Sequence, residues 1–133
     1  MDIYSNCKNK AISELCRILS LTPERLGRYD VDYRLTKNGV AHAYAEVKIV
    51  DGFMKNAFPL KMSAKKLVKL MDKRLSGVAV WACKDGVIYA NAKKADGVFR
   101  WGESGNANHK FNDNEFMVYF NKSNIFRYIN YHG

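Results

Sequence analysis

The chain has 133 residues, 47% of them apolar, and 22 Lys and Arg against 13 Asp and Glu give it a net charge of +9. That length supports one hydrophobic core, hence one domain over 1–133, and excludes two. No run of about 18 apolar residues is present, so no membrane-spanning helix is expected, and the basic excess points to a polyanionic partner through counterion release.

The first residues, Met1-Asp2-Ile3-Tyr4-Ser5-Asn6, lack the cationic start and apolar core of a secretory signal, so a cytoplasmic location is expected. Residues 7–20 read as a helix, because Ile12, Leu15, Cys16 and Leu19 recur at three and four. Cys7, Cys16 and Cys83 are an odd set without a Cys-x-x-Cys pair. They read as reduced thiols, with Cys16 and Cys83 in the core. Thr22-Pro23-Glu24 combines a capping hydroxyl with proline at a first helical position and predicts a short helical turn ended by Gly27.

Two hairpin strands are predicted next, near 28–36 and 40–50, joined at Thr36-Lys37-Asn38-Gly39. Asn-Gly between alternating apolar runs is the strongest short hairpin signal, since both residues accept positive φ. Ala43, Ala45, Val47, Ile49 and Val50 make the second strand apolar enough for a sheet centre. Asp51-Gly52 is a turn, and residues 53–60 are expected to add a short edge strand before Pro59.

From Ser63 to Leu75 the pattern is helical, with Ala64, Leu67, Val68, Met71 and Leu75 as the predicted buried stripe. Lys65, Lys66, Lys69 and Lys73 lie off that stripe, and between Lys55 and Arg74 seven basic residues face a single acid, Asp72. Such a face suits a phosphate backbone, where contacts set position without reading sequence. Lys61, Lys65, Lys66, Lys69 and Lys73 are therefore the candidate nucleic-acid-binding residues. Residues 78–83 and 87–92 read as strands around a Lys84-Asp85-Gly86 turn.

The tail from Val98 to Tyr131 is crowded with aromatics. Gly102 to Asn114 reads as a loop, Glu115 to Phe120 as a strand and Ser123 to Tyr131 as a last helix. Packing of that strand and helix is the expected role of the aromatics. The alternative is stacking on unpaired bases beside Arg100, Lys110 and Arg127. His42, His109 and His132 show no metal-ligand spacing, which argues against a zinc centre or a His-Asn-His nuclease.

The chemistry concentrates on Asp30-Val31-Asp32 and Glu46-Val47-Lys48. Strand side chains alternate faces, so Asp30 and Asp32 share one, and Glu46 and Lys48 share one. Depending on the turn, Glu46 falls opposite Asp30, Val31 or Asp32. A register that sets an aspartate across from Glu46, with carboxyl oxygens within about 5 Å, would give hard oxygen ligands suited to Mg²⁺. A lysine on the same face adds a group that orients water or stabilises charge on phosphorus oxygens. Glu14, on the first helix off its apolar stripe, is a further acid, expected to be solvated.

Asp-x(13)-Glu-x-Lys on a hairpin resembles the PD-(D/E)XK nuclease superfamily over roughly residues 10–90, which includes restriction enzymes, junction resolvases and phage nucleases. Asp32-Tyr33-Arg34-Leu35 followed by Ala45-Glu46-Val47-Lys48 is most similar to small phage-type members. The family's proline before the first aspartate is absent here, where Tyr29 precedes Asp30 and Val31 precedes Asp32.

The resemblance implies an α/β restriction-endonuclease-like domain, a central mixed sheet with an αβββαβ core flanked by helices. It implies a Mg²⁺-dependent endonuclease, with Mn²⁺ as a substitute, acting on DNA phosphodiesters in nicking or junction resolution. Asp32, Glu46 and Lys48 would be catalytic, and Asp32 and Glu46 would hold the metal with Asp30 as alternate ligand. A homodimer is open, and no membrane partner is implied. Two other functions compete, a nucleic-acid-binding module of the same fold without catalysis and a ribonuclease on the same site.

Overall fold

Ala11, Ile12, Leu15 and Cys16 form the buried stripe of helix α1 (Ile3–Leu19) in the computed structural model, which describes residues 3–27, 30–103 and 114–131. Leu19, expected in that stripe, ends the helix and is exposed. Thr22-Pro23-Glu24 does not open a helix. Thr22–Arg25 is strand β1, antiparallel to β2 (Tyr33–Lys37), with Pro23 opposite Leu35. β1 is the outer strand of its sheet, the place where a residue with no N–H to donate is tolerated.

Asn38 and Gly39 hold positive φ of 53° and 79° and turn β2 into β3 (Val40–Ile49), as their chemistry predicts. β2 starts later than expected, so Asp30 and Asp32 precede it rather than lying in it. The hairpin carries one irregularity. Lys37 pairs with Val40 and Thr36 with Ala41, but Leu35 pairs with Ala43 and Tyr33 with Ala45. His42 is therefore an extra residue, a bulge that moves the register by one.

Residues 53–60 do not form the expected edge strand. Met54–Asn56 is a 3-10 turn, and β4 (Leu60–Ser63) begins only after Pro59. Helix α2 (Ala64–Met71) is shorter than its apolar pattern and buries Ala64, Leu67 and Leu70, leaving Val68, Met71 and Leu75 exposed. Gly77 explains the choice of stripe. A Cβ there would lie 2.8 Å from the Leu70 carbonyl oxygen, so α2 comes down on the next strand along the Leu70 line.

That strand is β5 (Ser76–Ala82), which runs parallel to β3, and β6 (Gly86–Asn91) returns antiparallel to it. β7 (Val98–Glu103) and β8 (Asn114–Phe120) form an antiparallel ribbon. Gly102, Glu103 and Asn114, expected in a loop, thus belong to strands. The rest of that loop, with Lys110 and His109, and His132 as well, lie outside the described residues. The predicted last helix is instead β9 (Arg127–Asn130), which extends the sheet beyond β6 by pairing, with Ile129 buried and its neighbours exposed.

The strands make a six-stranded mixed sheet, β1-β2-β3-β5-β6-β9, and a three-stranded sheet, β4-β8-β7. The chain is an α/β domain in which α1 and α2 lie on opposite faces of the large sheet. On one face α1 packs on Leu35, Ala45, Val47, Val80 and Ala82. On the other, α2 and the small sheet enclose Trp81, Ile88 and Phe120. Trp81 is fully buried, meets Phe120 edge-on at 5.6 Å and donates its indole N–H to the Lys61 carbonyl at 2.8 Å. Cys16 and Cys83 are buried free thiols, as expected. Among the described residues, no helix is long and apolar enough to cross a membrane.

Candidate active site

Alternation on β3 sends Ala45 and Val47 toward α1 and Tyr44 toward α2, so Glu46 and Lys48 share the Tyr44 side. Glu46 is only 5% exposed. The His42 bulge puts Asp32 level with it, since Tyr33 pairs with Ala45. Were His42 paired with Leu35 in a regular ladder instead, Val31 would stand there and Asp32 would fall on the other side. Asp32 also replaces the missing strand. Its carbonyl accepts from the Leu26 N–H at 3.0 Å, and its Oδ2 accepts from the Val47 N–H at 2.9 Å.

The Glu46 and Asp32 carboxyls are within hydrogen-bonding reach of each other. Burial, then the Asp32 charge, then that hydrogen bond push the Glu46 carboxyl up to about 8, against the pull of Lys66 and Lys8. Glu46 Oε1 is buried and accepts no hydrogen bond. A buried carboxylate oxygen without a donor is costly unless it is protonated or held by a cation. An orphan oxygen beside a second carboxyl is a donor set that fits a hard divalent ion. Among the described residues, no cluster of three or more His, Cys, Asp or Glu is placed to hold a metal, so the remaining ligands there would be water and substrate oxygens.

Lys48 is half-buried on the same side. Burial, with the charges of Lys61 and Lys8, holds its amine below the usual lysine range, and Glu115 opposes them. Two of these groups carried no site assignment from sequence. Lys8 Nζ on α1 is 3.5 Å from Asp32 Oδ2. Glu115 on β8 accepts a hydrogen bond from the Ser63 hydroxyl at 2.6 Å. Lys8 was detectable, because helical spacing places it in line with Ala11, Ile12 and Leu15, a cation on the buried stripe. Glu115 had no local signal, since only the tertiary fold carries β8 to β3.

Asp30 goes elsewhere. Its Oδ1 is 2.7 Å from Lys73 Nζ and accepts from the Val31 N–H, and the Lys73 hydrogen bond keeps its carboxyl below the usual range. Lys73 Nζ also lies 4.7 Å from the centre of the Tyr44 ring. The five candidate phosphate-binding lysines thus divide. The Lys66 charge acts on Glu46 and the Lys61 charge on Lys48. Lys69 and Lys73 surround Asp30, and Lys65 is exposed on α2. Glu14 pairs with Arg17 at 2.9 Å, one helical turn away on α1. No family model, curated protein or solved structure matches this chain.

Proposed function

We propose that the chain is a metal-dependent endonuclease that hydrolyses DNA phosphodiesters at Asp32, Glu46 and Lys48, on a restriction-endonuclease-like domain. The observation that carries this reading is the buried Glu46 carboxyl, with an orphan Oε1, set against Asp32 and two residues from Lys48 on one side of β3. The chain order α1-β1-β2-β3-β4-α2-β5, with β4 in the small sheet and β3 paired parallel to β5, supports the αβββαβ reading that the sequence resemblance implies.

Asp32 and Glu46 would hold Mg²⁺, which supplies polarisation of the scissile phosphate and a lower pKa for the attacking water. The water oxygen adds to phosphorus, one P–O ester bond breaks and the water proton leaves with the departing oxygen. Lys48, on the same side, positions that water or offsets charge growing on the phosphoryl oxygens. Lys61 and Lys66 flank the site and suit the adjacent phosphates.

A second reading, a nucleic-acid-binding module without catalysis, is favoured by one contact. Lys8 lies 3.5 Å from Asp32 and neutralises it without a metal. Incubating purified protein with supercoiled plasmid and Mg²⁺, beside Glu46→Ala and Lys48→Ala, separates the two. Nicking by wild type and its loss in both variants supports the nuclease. Binding without cutting on DNA and RNA alike supports the module, and cutting of RNA alone makes the enzyme a ribonuclease.

A further inference from the structure

The β7–β8 ribbon breaks the rule that aromatic side chains go inside. Phe99, Trp101 and Phe116 are 49%, 70% and 40% exposed. They are not scattered. Trp101 stands opposite Phe116 in the ladder, and the ring centres are 5.2 Å apart. Phe99 is 5.5 Å from Phe116 and tilted only 30° from it. Directly paired residues project to the same side of a sheet, so all three share the side of Val118 and Phe120. Val118 and Phe120 are buried in the core, so the ribbon runs past the large sheet and carries the same apolar side into solvent.

The overhang begins at the candidate active site. Phe116 directly follows Glu115, whose carboxylate accepts from Ser63 and acts on Lys48. Adjacent Cα atoms are about 3.8 Å apart and successive strand side chains alternate, so the ring cluster starts one residue from Glu115, on the opposite side of the ribbon. We propose that Phe99, Trp101 and Phe116 form a stacking platform for unpaired bases of the strand that enters the Asp32–Glu46–Lys48 site.

The nature of the occupant rests on the nuclease reading, and charge and geometry sharpen it. A chain of net charge +9 favours a polyanion over an apolar peptide. Every base has a π-face, so stacking on aromatics tolerates any sequence. Bases inside a duplex are already stacked on one another and present phosphates outward. The platform therefore selects single strands, flaps or frayed ends, and the substrate class becomes nucleic acid with unpaired nucleotides beside the scissile bond.

The two tryptophans provide the probe, since Trp81 is 0% exposed and Trp101 is 70% exposed. The full chain is titrated in EDTA, where no metal-dependent cutting occurs, with oligo(dT) of about 12 nucleotides, a duplex of that length and an abasic strand of that length. Oligo(dT) is expected to quench the Trp101 fluorescence and to bind about tenfold tighter than the abasic strand. Trp101→Leu and Phe116→Leu should each weaken oligo(dT) binding by about tenfold, with duplex binding within about twofold of wild type. Equal affinity for the abasic strand overturns the proposal, as does unchanged oligo(dT) binding by both variants. So does a loss of self-association on sedimentation with oligo(dT) binding intact, which would make the patch a contact between two copies. The plasmid assay keeps the two readings separate. Strand binding through Trp101 with no cutting of plasmid, single strand or flap in Mg²⁺ sinks the catalytic reading alone, whereas cutting with normal strand binding by the variants sinks the platform alone.

Discussion

Glu46 on β3 is buried and Trp101 on β7 faces solvent, the reverse of what the solvation of each side chain favours. The two inversions differ in how the rest of the fold treats them. Around Glu46 the chain gathers polar company, with Asp32, Lys8 and Lys66 acting on one carboxyl. Around Trp101, among the described residues, it gathers other rings. Buried charge that is partly neutralised suits a site where charge changes during a reaction. Exposed rings stacked on each other suit a surface that takes up flat apolar faces without covalent change. A charged site and an apolar one lie a residue apart through Glu115 and Phe116, on opposite sides of β8.

The contrast can be broken at its base. Inserting one glycine between Asp32 and Tyr33 keeps the β2–β3 register and sets the new residue level with Glu46, so Asp32 falls on the other side. Metal-dependent cutting should fall by about 10³-fold, the scale of losing charge-stabilising groups at a reaction centre. Oligo(dT) quenching of Trp101 should persist in the same protein. An insertion variant that folds and still cuts plasmid near the wild-type rate would disconnect the register from catalysis.

The acids provide a sharper version. Asp32→Asn should lose about 10²-fold or more in cutting rate. Asp30→Asn should stay within about threefold and cost roughly 0–1 kcal/mol of stability, since Asp30 is a part-exposed partner of Lys73. Comparable losses in both variants, measured by initial nicking rates, would mean that Asp30 also serves the site.

The two tryptophans should separate on stability. Trp81→Ala removes a fully buried ring from the Phe120 and Phe126 contacts and is expected to cost about 3–5 kcal/mol in urea unfolding. Trp101→Ala should stay within about 0.5 kcal/mol. A large loss at Trp101 would make the ribbon aromatics structural.

The last test concerns pH. The Glu46 carboxyl is raised in the folded chain from 4.5 to about 8. Between those values the unfolded chain has released that proton and the folded chain has kept it. The Glu46 contribution to stability is therefore full below pH 4.5 and is lost as pH rises to about 8. Glu46→Gln, which cannot ionise, should raise the melting midpoint in EDTA at pH 9 and leave it nearly unchanged at pH 4. An equal shift at both values would show that Glu46 ionisation does not load the fold. Mg²⁺ should reverse the order, because binding displaces the proton and stabilises wild type only.

Local chemistry was readable where a single element decides the outcome. Asn38-Gly39 requires a turn with positive φ, the apolar residues of β3 require a sheet centre, and period two gives Glu46 and Lys48 one side. The three- and four-residue spacing of Ile12, Leu15 and Cys16 likewise requires a buried helix face. Elements that exist only through their partners were misread. Thr22-Pro23-Glu24 has a helix-start chemistry, yet the open edge of β2 takes it as a strand. Ser123–Tyr131 reads as a helix alone, yet the free edge of β6 takes Arg127–Asn130 as β9. α2 has two apolar lines to offer, and the bare backbone at Gly77 selects the one through Leu70.

By itself the sequence determined the α/β class, the hairpin and the three residue types that the candidate chemistry needs, because these follow from periodicity and turn conformation within a few residues. Tertiary structure decided which aspartate meets Glu46, through one bulged residue at His42. It brought Lys8 and Glu115 to the site from distant segments, and it left Phe99, Trp101 and Phe116 uncovered. Those outcomes depend on strand register and on which surfaces meet across two packed sheets, and register and packing are relations between segments that no local pattern encodes.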